Sequence, residues 1–167
     1  ITTSLMLCNQ LVEIDDKGNP TGELFESWEV KPGATEWVFN IRRGVTFSSG
    51  KTLEADDVIY SLNLHRGESK SPAKTLLADI AEIRKVSANQ IAIRMAKGNV
   101  DLPFAFSDYH IVVVPNGFTN WARLEGTGAF ILEEFQPGVR VTVVRRPGNY
   151  WKTGRGNFDR VEVRYIQ

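Results

Sequence analysis

The side chains best suited to chemistry in this sequence do not stand at spacings that make a reaction. His65 and His110 lie far apart in the chain with no ligand set near either. Neither a zinc site nor a Cys–His or Ser–His nucleophile is signalled. Cys8 is the only cysteine, so no internal disulfide forms and its usage does not report the redox compartment. A buried, inert thiol on a helix is expected there. Leu5-Met6-Leu7-Cys8 has the outline of a lipoprotein signal, but Leu7 stands where a small residue is required. Asp56 and Asp57 are adjacent, and adjacent helical side chains diverge by about 100°, so they cannot converge on one substrate atom. Asp15-Asp16-Lys17-Gly18-Asn19-Pro20 has a calcium loop's composition, but Lys17 occupies a position that needs an oxygen. Gly126-Thr127-Gly128 lacks the third glycine and the long helix of a dinucleotide loop. The sequence therefore signals no catalytic residues, no metal site and no cofactor.

What those residues do depends on the elements that carry them. The 167 residues suit one domain, or a domain and part of another, with enough apolar side chains for a core. Twenty basic and twenty acidic residues cancel. No basic run interleaved with aromatics is present, so nucleic acid is not an expected partner. No apolar stretch approaches the ~20 residues needed to span a bilayer, and Ile1 to Leu5 lacks the charged start of a signal peptide.

The strongest element runs from Trp37 to Leu62. Trp37, Phe39 and Ile41 alternate with Val38, Asn40 and Arg42, as in a strand with one buried face. Gly44 and Ser48-Ser49-Gly50 turn the chain, and two acids open a helix with Val58, Ser61, Leu62 and His65 on one face. Before it, a short helix is expected over Leu5 to Leu11, and Trp28 to Arg42 forms a hairpin. After it, Arg66 to Lys74 reads as a loop, and Leu76 to Ile83 as a short helix or strand. A second hairpin turns at Ser87-Ala88-Asn89, and a third at Gln136-Pro137-Gly138. Asp101 to Phe106 suits a helical turn or two, with Phe104, Phe106 and Tyr109 expected in the core. Ile111 to Val114 suits a buried strand, and Val161 to Ile166 an alternating one. The fold class is mixed α/β (α+β), with twisted, mostly antiparallel sheets and flanking helices.

The order of five blocks resembles the family 5 extracellular solute-binding proteins, the peptide- and nickel-type receptors of ABC importers. The blocks are Leu11 to Asp15, Gly22 to Trp28, Trp37 to Leu62, Gly126-Thr127-Gly128-Ala129-Phe130, and Arg145 to Trp151. Departures are Phe25 for Ala, Ala129 for Pro, Phe130 for Tyr, and Glu54 where the family has a Thr helix cap. That last change should weaken the cap by about 1 kcal/mol.

The resemblance implies part of a periplasmic-binding-protein type II-like fold, with residues 12–115 as a small inserted lobe and 1–11 plus 116–167 as part of a main lobe. It implies an N-terminal piece of a longer receptor, without catalysis, that is periplasmic or extracellular and membrane-associated. Its partners would be a small-molecule or peptide solute and a membrane permease. A nickel-chelate, opine or sugar receptor of the same family is the alternative, and a hairpin-rich interaction module is another. The family's charge clamp on peptide termini falls outside this chain. Cleft-facing candidates implied here are Cys8, Asn9, Gln10, the loop at Ala73 and Lys74, and Thr127. Ordinary turn or cap chemistry is the alternative at each. The isolated piece is further expected to expose apolar surface and to dimerise or make close crystal contacts through it.

Overall fold

The alternation read between Trp37 and Ile41 is the spine of the larger sheet. In the computed structural model, which describes residues 2–166, Trp37, Phe39 and Ile41 are buried while Val38 and Asn40 are half-buried. This strand (β4, Glu36–Ile41) follows α1 (Thr2–Leu7), β1 (Val12–Ile14), β2 (Pro20–Gly22) and β3 (Phe25–Val30). After it come α2 (Ala55–Asn63), β5 (Ile80–Ser87), β6 (Gln90–Met95), α3 (Leu102–Ala105), β7 (Phe130–Gln136), β8 (Arg140–Arg145) and β9 (Arg160–Arg164). Short 3-10 turns lie at Pro72–Leu77 and Trp121–Arg123. Among the described residues every strand pairing is antiparallel, in a β1-β2 ribbon and sheets ordered β3-β4-β6-β5 and β7-β8-β9.

Two apolar clusters result. The larger draws its buried residues from Leu11 to Val113 and centres on Phe39. That ring stacks on Phe25 at 4.5 Å and meets Phe106 edge-on at 5.2 Å, geometries that aromatic quadrupoles favour. The smaller cluster joins Leu7 and Cys8 to Ala129, Phe130, Val141 and Val143. Gly126 and Gly128 let the chain lie directly on residues 6–8, because a Cβ at either would collide with the Met6, Leu7 or Cys8 backbone.

The departure at Glu54 is absorbed by a neighbour. Asp57, fully buried, accepts the Glu54 N–H at 2.9 Å, the Asn116 N–H at 2.8 Å and the Lys51 ammonium at 2.7 Å. Asp57 thus ties the helix start to the turn before it and to the segment leading to residue 116, as a structural anchor. Asp56 is half-buried and pairs with Lys85.

Several expectations need correcting. The first helix ends at Leu7 rather than Leu11, because residues 9–12 turn outward to meet other segments: Gln10 bridges Val112 and Val12 N–H reaches the Phe106 carbonyl. Ile111, Val113 and Val114 are buried, but the segment forms no ladder beyond that bridge: Val114 spends its N–H and carbonyl on Ser61, and the Ile111 N–H turns back to the Asp108 carbonyl. Residues 72–83 hold both a 3-10 turn and a strand, with Pro72 opening the turn where its missing N–H costs nothing. Of the three aromatics expected in the core only Phe106 is there; Phe104 is exposed because the one-turn α3 presents it outward, and Tyr109 is exposed in the turn that follows. The last strand stops at Arg164, leaving Tyr165 and Ile166 in solvent.

Candidate functional site

The end of α1 delivers Asn9 to the junction of the two clusters. The residue is 7% exposed, and its side-chain amide uses its full bonding capacity. The Nδ2 group donates to Glu23 Oε1 at 2.9 Å and to the Tyr150 hydroxyl at 2.8 Å. The Oδ1 atom accepts from Thr127 Oγ1 at 2.8 Å and from the Trp151 indole N–H at 3.1 Å. One side chain therefore joins the residue that follows β2, the Gly126-Thr127 turn and the segment after β8.

A charge network surrounds it. Lys152 Nζ lies 2.7 Å from Glu23 and 2.6 Å from Glu13. Burial is the largest influence on Glu23 and lifts its carboxyl above the ordinary range, with the Glu13 charge adding to the rise and Lys152 opposing it. Burial pulls the Lys152 ammonium down, but the two carboxylates outweigh it and hold the group above its usual value. Arg42 donates to the Glu23 carbonyl at 2.8 Å and lies over the Trp151 ring at 5.0 Å. Burial also raises the Tyr150 phenol. A shallow groove of about 250 Å³ opens here, lined by Asn9, Glu13, Glu23, Tyr150, Lys152 and Arg155 among others.

Cys8 is fully buried just beyond the helix, and burial pushes its thiol up to about 12, so it is an inert packing group at neutral pH. Gln10 is half-buried and its side chain donates to the Ser107 carbonyl. Thr127 is buried against Asn9. The structure thus brings Asn9 and Thr127 into contact, with Cys8 and Gln10 flanking Asn9 in the chain. Ala73 and Lys74 lie elsewhere, in the 3-10 turn, with Ala73 buried and Lys74 exposed. A groove of about 560 Å³ is lined by Thr75 and Leu76 from that turn and by Ser107, the anchor of Gln10, though by none of the candidates themselves. Asp79, Asp101, Asp108, Phe104 and Tyr109 complete most of its wall.

Sequence reasoning did not find Glu23 or Lys152. A lone acid between Gly22 and Leu24, and a lysine beside Tyr150-Trp151, were the available signals, but their partnership spans 129 positions. It also did not bring the histidines together. His65 and His110 fall within electrostatic reach of one another, while among the described residues no group of three or more potential ligands is placed to hold a metal ion.

Residues 19–167 match the family model for bacterial extracellular solute-binding proteins, family 5. The chain belongs to this family. Among relatives of this solute-binding family, an uncharacterised Bacillus subtilis protein, YhjP, is 29% identical over 147 residues, covering 88% of this chain and 24% of its own length. An Escherichia coli protein described as a probable D,D-dipeptide-binding periplasmic protein, DdpA, is 23% identical over 90% of this chain and 31% of its own. The solved structure of the Agrobacterium tumefaciens R10 binding protein AgaA in complex with agropinic acid superposes with a TM-score of 0.89 at 26% identity, over 99% of this chain and 35% of that one. The chain thus spans about a quarter of the curated relative YhjP and about a third of the solved AgaA chain. Among the described residues no helix is long and apolar enough to cross a membrane.

Proposed function

We propose that this chain is part of the substrate-binding receptor of an ABC importer, which captures a peptide or peptide-like solute in the periplasm and presents it to a membrane permease without transforming it. The observation that carries the reading is the family match over residues 19–167. The likeness to DdpA along most of the chain favours a short peptide. The likeness to AgaA, solved with agropinic acid, favours an opine-type solute as the second reading.

In this reading residues 12–115 form a small lobe inserted in a main lobe to which 1–11 and 116–167 contribute. The two apolar clusters support the division, since the larger is built from residues 11–113 and the smaller from Leu7 and Cys8 with residues 129–143. Asn9 and the Glu23–Lys152 pair fix the two lobes to each other at the foot of the cleft. Gln10 and Lys74 face the ligand, with Cys8, Ala73 and Thr127 shaping the surface behind them. Closure of the full receptor over its solute then acts as a shift between open and closed populations.

Native mass spectrometry on the full-length protein as purified tests this. A retained mass that is released on denaturation and fragments as a short peptide is the expected result. A retained opine-like acid moves the substrate class and keeps the receptor. Recovery of no ligand, with no response of Trp fluorescence to peptides or opines, would overturn both readings.

A further inference from the structure

Helix α2 runs into a tight turn that places His65 against Ser71. The imidazole Nδ1 and the Ser71 hydroxyl are 2.5 Å apart, and both residues are half-buried. Ser71 is also the N-cap of the Pro72–Leu77 turn, where its Oγ accepts the Ala73 N–H at 3.1 Å. The Ser71 N–H in turn reaches Ser69 Oγ at 3.1 Å, and Ser69 donates to the Leu64 carbonyl at 2.6 Å. Two hydroxyls, Ser69 and Ser71, therefore link the end of α2 to the segment that carries Ala73 and Lys74, and the Ser71 hydroxyl is the one that meets the imidazole.

The state of the imidazole decides how that hydroxyl is used. With Nδ1 unprotonated, Ser71 gives its one proton to the ring and keeps a lone pair for Ala73, so Nδ1, the hydroxyl and the Ala73 N–H are all matched. With the ring protonated, Nδ1 is a donor, and Ser71 must accept two N–H groups while its own proton loses its acceptor. The segment after α3 adds to the asymmetry. His110 carries its Nδ1 2.8 Å from Asp108 Oδ1, and that carboxylate also accepts the His110 backbone N–H at 2.9 Å. Asp108 is thus already engaged with its own histidine. A charge on His110 opposes one on His65, and Asp108 favours it. Arg66, next to His65 in the chain, turns its guanidinium to Asn63 and to the Ile80 carbonyl.

We propose that the His65–Ser71 contact is a pH-operated catch on the Pro72–Leu77 turn, closed when the imidazole is neutral and released when it is protonated. The electrostatics agree in direction. Burial is the main cause that holds His65 below its ordinary value of 6.5, with His110 second. A histidine depressed in the folded chain stabilises the closed arrangement fully above the unfolded value, and that contribution is lost as pH falls below 6.5 toward the folded value. The consequence for the receptor rests on the proposed cleft-facing role of Lys74: solute is held more weakly in mildly acidic solution.

Hydrogen exchange on the full-length protein tests the catch without a ligand, using amide protection corrected for intrinsic exchange at about pH 7.5 and about pH 5.5. Protection of the amides of residues 73–78 is expected to fall several-fold in the wild type on acidification, and to stay level in His65→Gln, whose side chain cannot titrate. Ser71→Ala, which lacks the hydroxyl, should show low protection at both values. Level protection in the wild type, or an unchanged fall in His65→Gln, would overturn the proposal. Trialanine affinity measured at the same two values separates the consequence from the catch. A parallel loss supports the coupling to the cleft, and flat affinity beside falling protection overturns that coupling. Absence of trialanine binding at the higher value counts against the peptide reading alone, because protection still decides the role of His65.

Discussion

The two apolar clusters meet at Asn9 but are held by different physics. The larger is a conventional core, with Phe25, Phe39 and Phe106 fully buried, a sheet on one side and α2 against it. The smaller has six buried apolar members, and much of its cohesion is polar. Arg146, 5% exposed, donates to the carbonyls of Thr46, Phe47 and Thr127 at 2.8 to 3.2 Å, and backbone lies on backbone at Gly126 and Gly128. The smaller cluster also leaves apolar side chains in solvent. A groove of about 360 Å³ beside it is lined by Leu7, Trp121, Leu132, Phe135 and Tyr165 among others. The difference teaches that one half is stabilised by volume and the other by close approach and by partners for buried charge. Substitutions should separate them.

The largest effect is expected in the core. Phe39→Ala removes a fully buried ring in contact with Phe25, Trp28, Trp37 and Phe106 and should cost about 4 kcal/mol. Chemical denaturation with global analysis checks it. A loss near 1 kcal/mol or less would mean the cluster collapses onto the void and is less rigid than its stacking suggests. In the smaller cluster, Gly128→Ala adds only a methyl group yet drives it into the Met6 and Leu7 backbone. About 3 kcal/mol of destabilisation is expected, against a gain from the same change at an open site.

Next comes the junction. Lys152→Met leaves Glu23, whose side chain is 3% exposed, without its ammonium and should cost about 2 kcal/mol at neutral pH. The sign with pH is informative. The Glu23 carboxyl is already above its ordinary 4.5, so the folded chain binds a proton more readily than the unfolded chain between 4.5 and the raised value. Stability contributed by this group therefore falls as pH rises through that window. Removing Lys152 widens the window, so the variant should regain stability on acidification toward 4.5 while the wild type changes less. Thermal melts at stepped pH read this directly, and a variant that loses stability monotonically on acidification would contradict the assigned pairing. The double variant Glu23→Gln with Lys152→Met should recover part of the loss.

The contrast between the halves also explains what the sequence disclosed. Strand β4, the β5-β6 hairpin and the β7-β8 hairpin were legible because alternation and turn residues are local: Trp37, Phe39 and Ile41 face inward as their period requires, and Gln136-Pro137-Gly138 turns with Gly138 at φ 72°. Fold class and family order followed from those blocks. The junction was opaque because its partners are distant in the chain. Asn9 has no feature that points to Tyr150, and nothing about Lys152 announces Glu13 and Glu23. Phe104 and Tyr109 were misplaced for a related reason, since hydrophobicity alone does not say which side of a one-turn helix, or of the turn after it, faces the core.

The smallest effect tests what the exposed face beside the smaller cluster is for. Phe135 on β7 is 54% exposed, so Phe135→Ser in the 167-residue chain should change stability by less than about 0.5 kcal/mol. The same substitution in the full-length protein gives the comparison. A cost of about 2 kcal/mol there would mean that further chain buries the ring, as the proposed partial main lobe requires. Equal, small costs in both would mean the face stays in water or meets another molecule. Sedimentation of the 167-residue chain then decides between those outcomes, because self-association that Phe135→Ser abolishes assigns the face to a second copy.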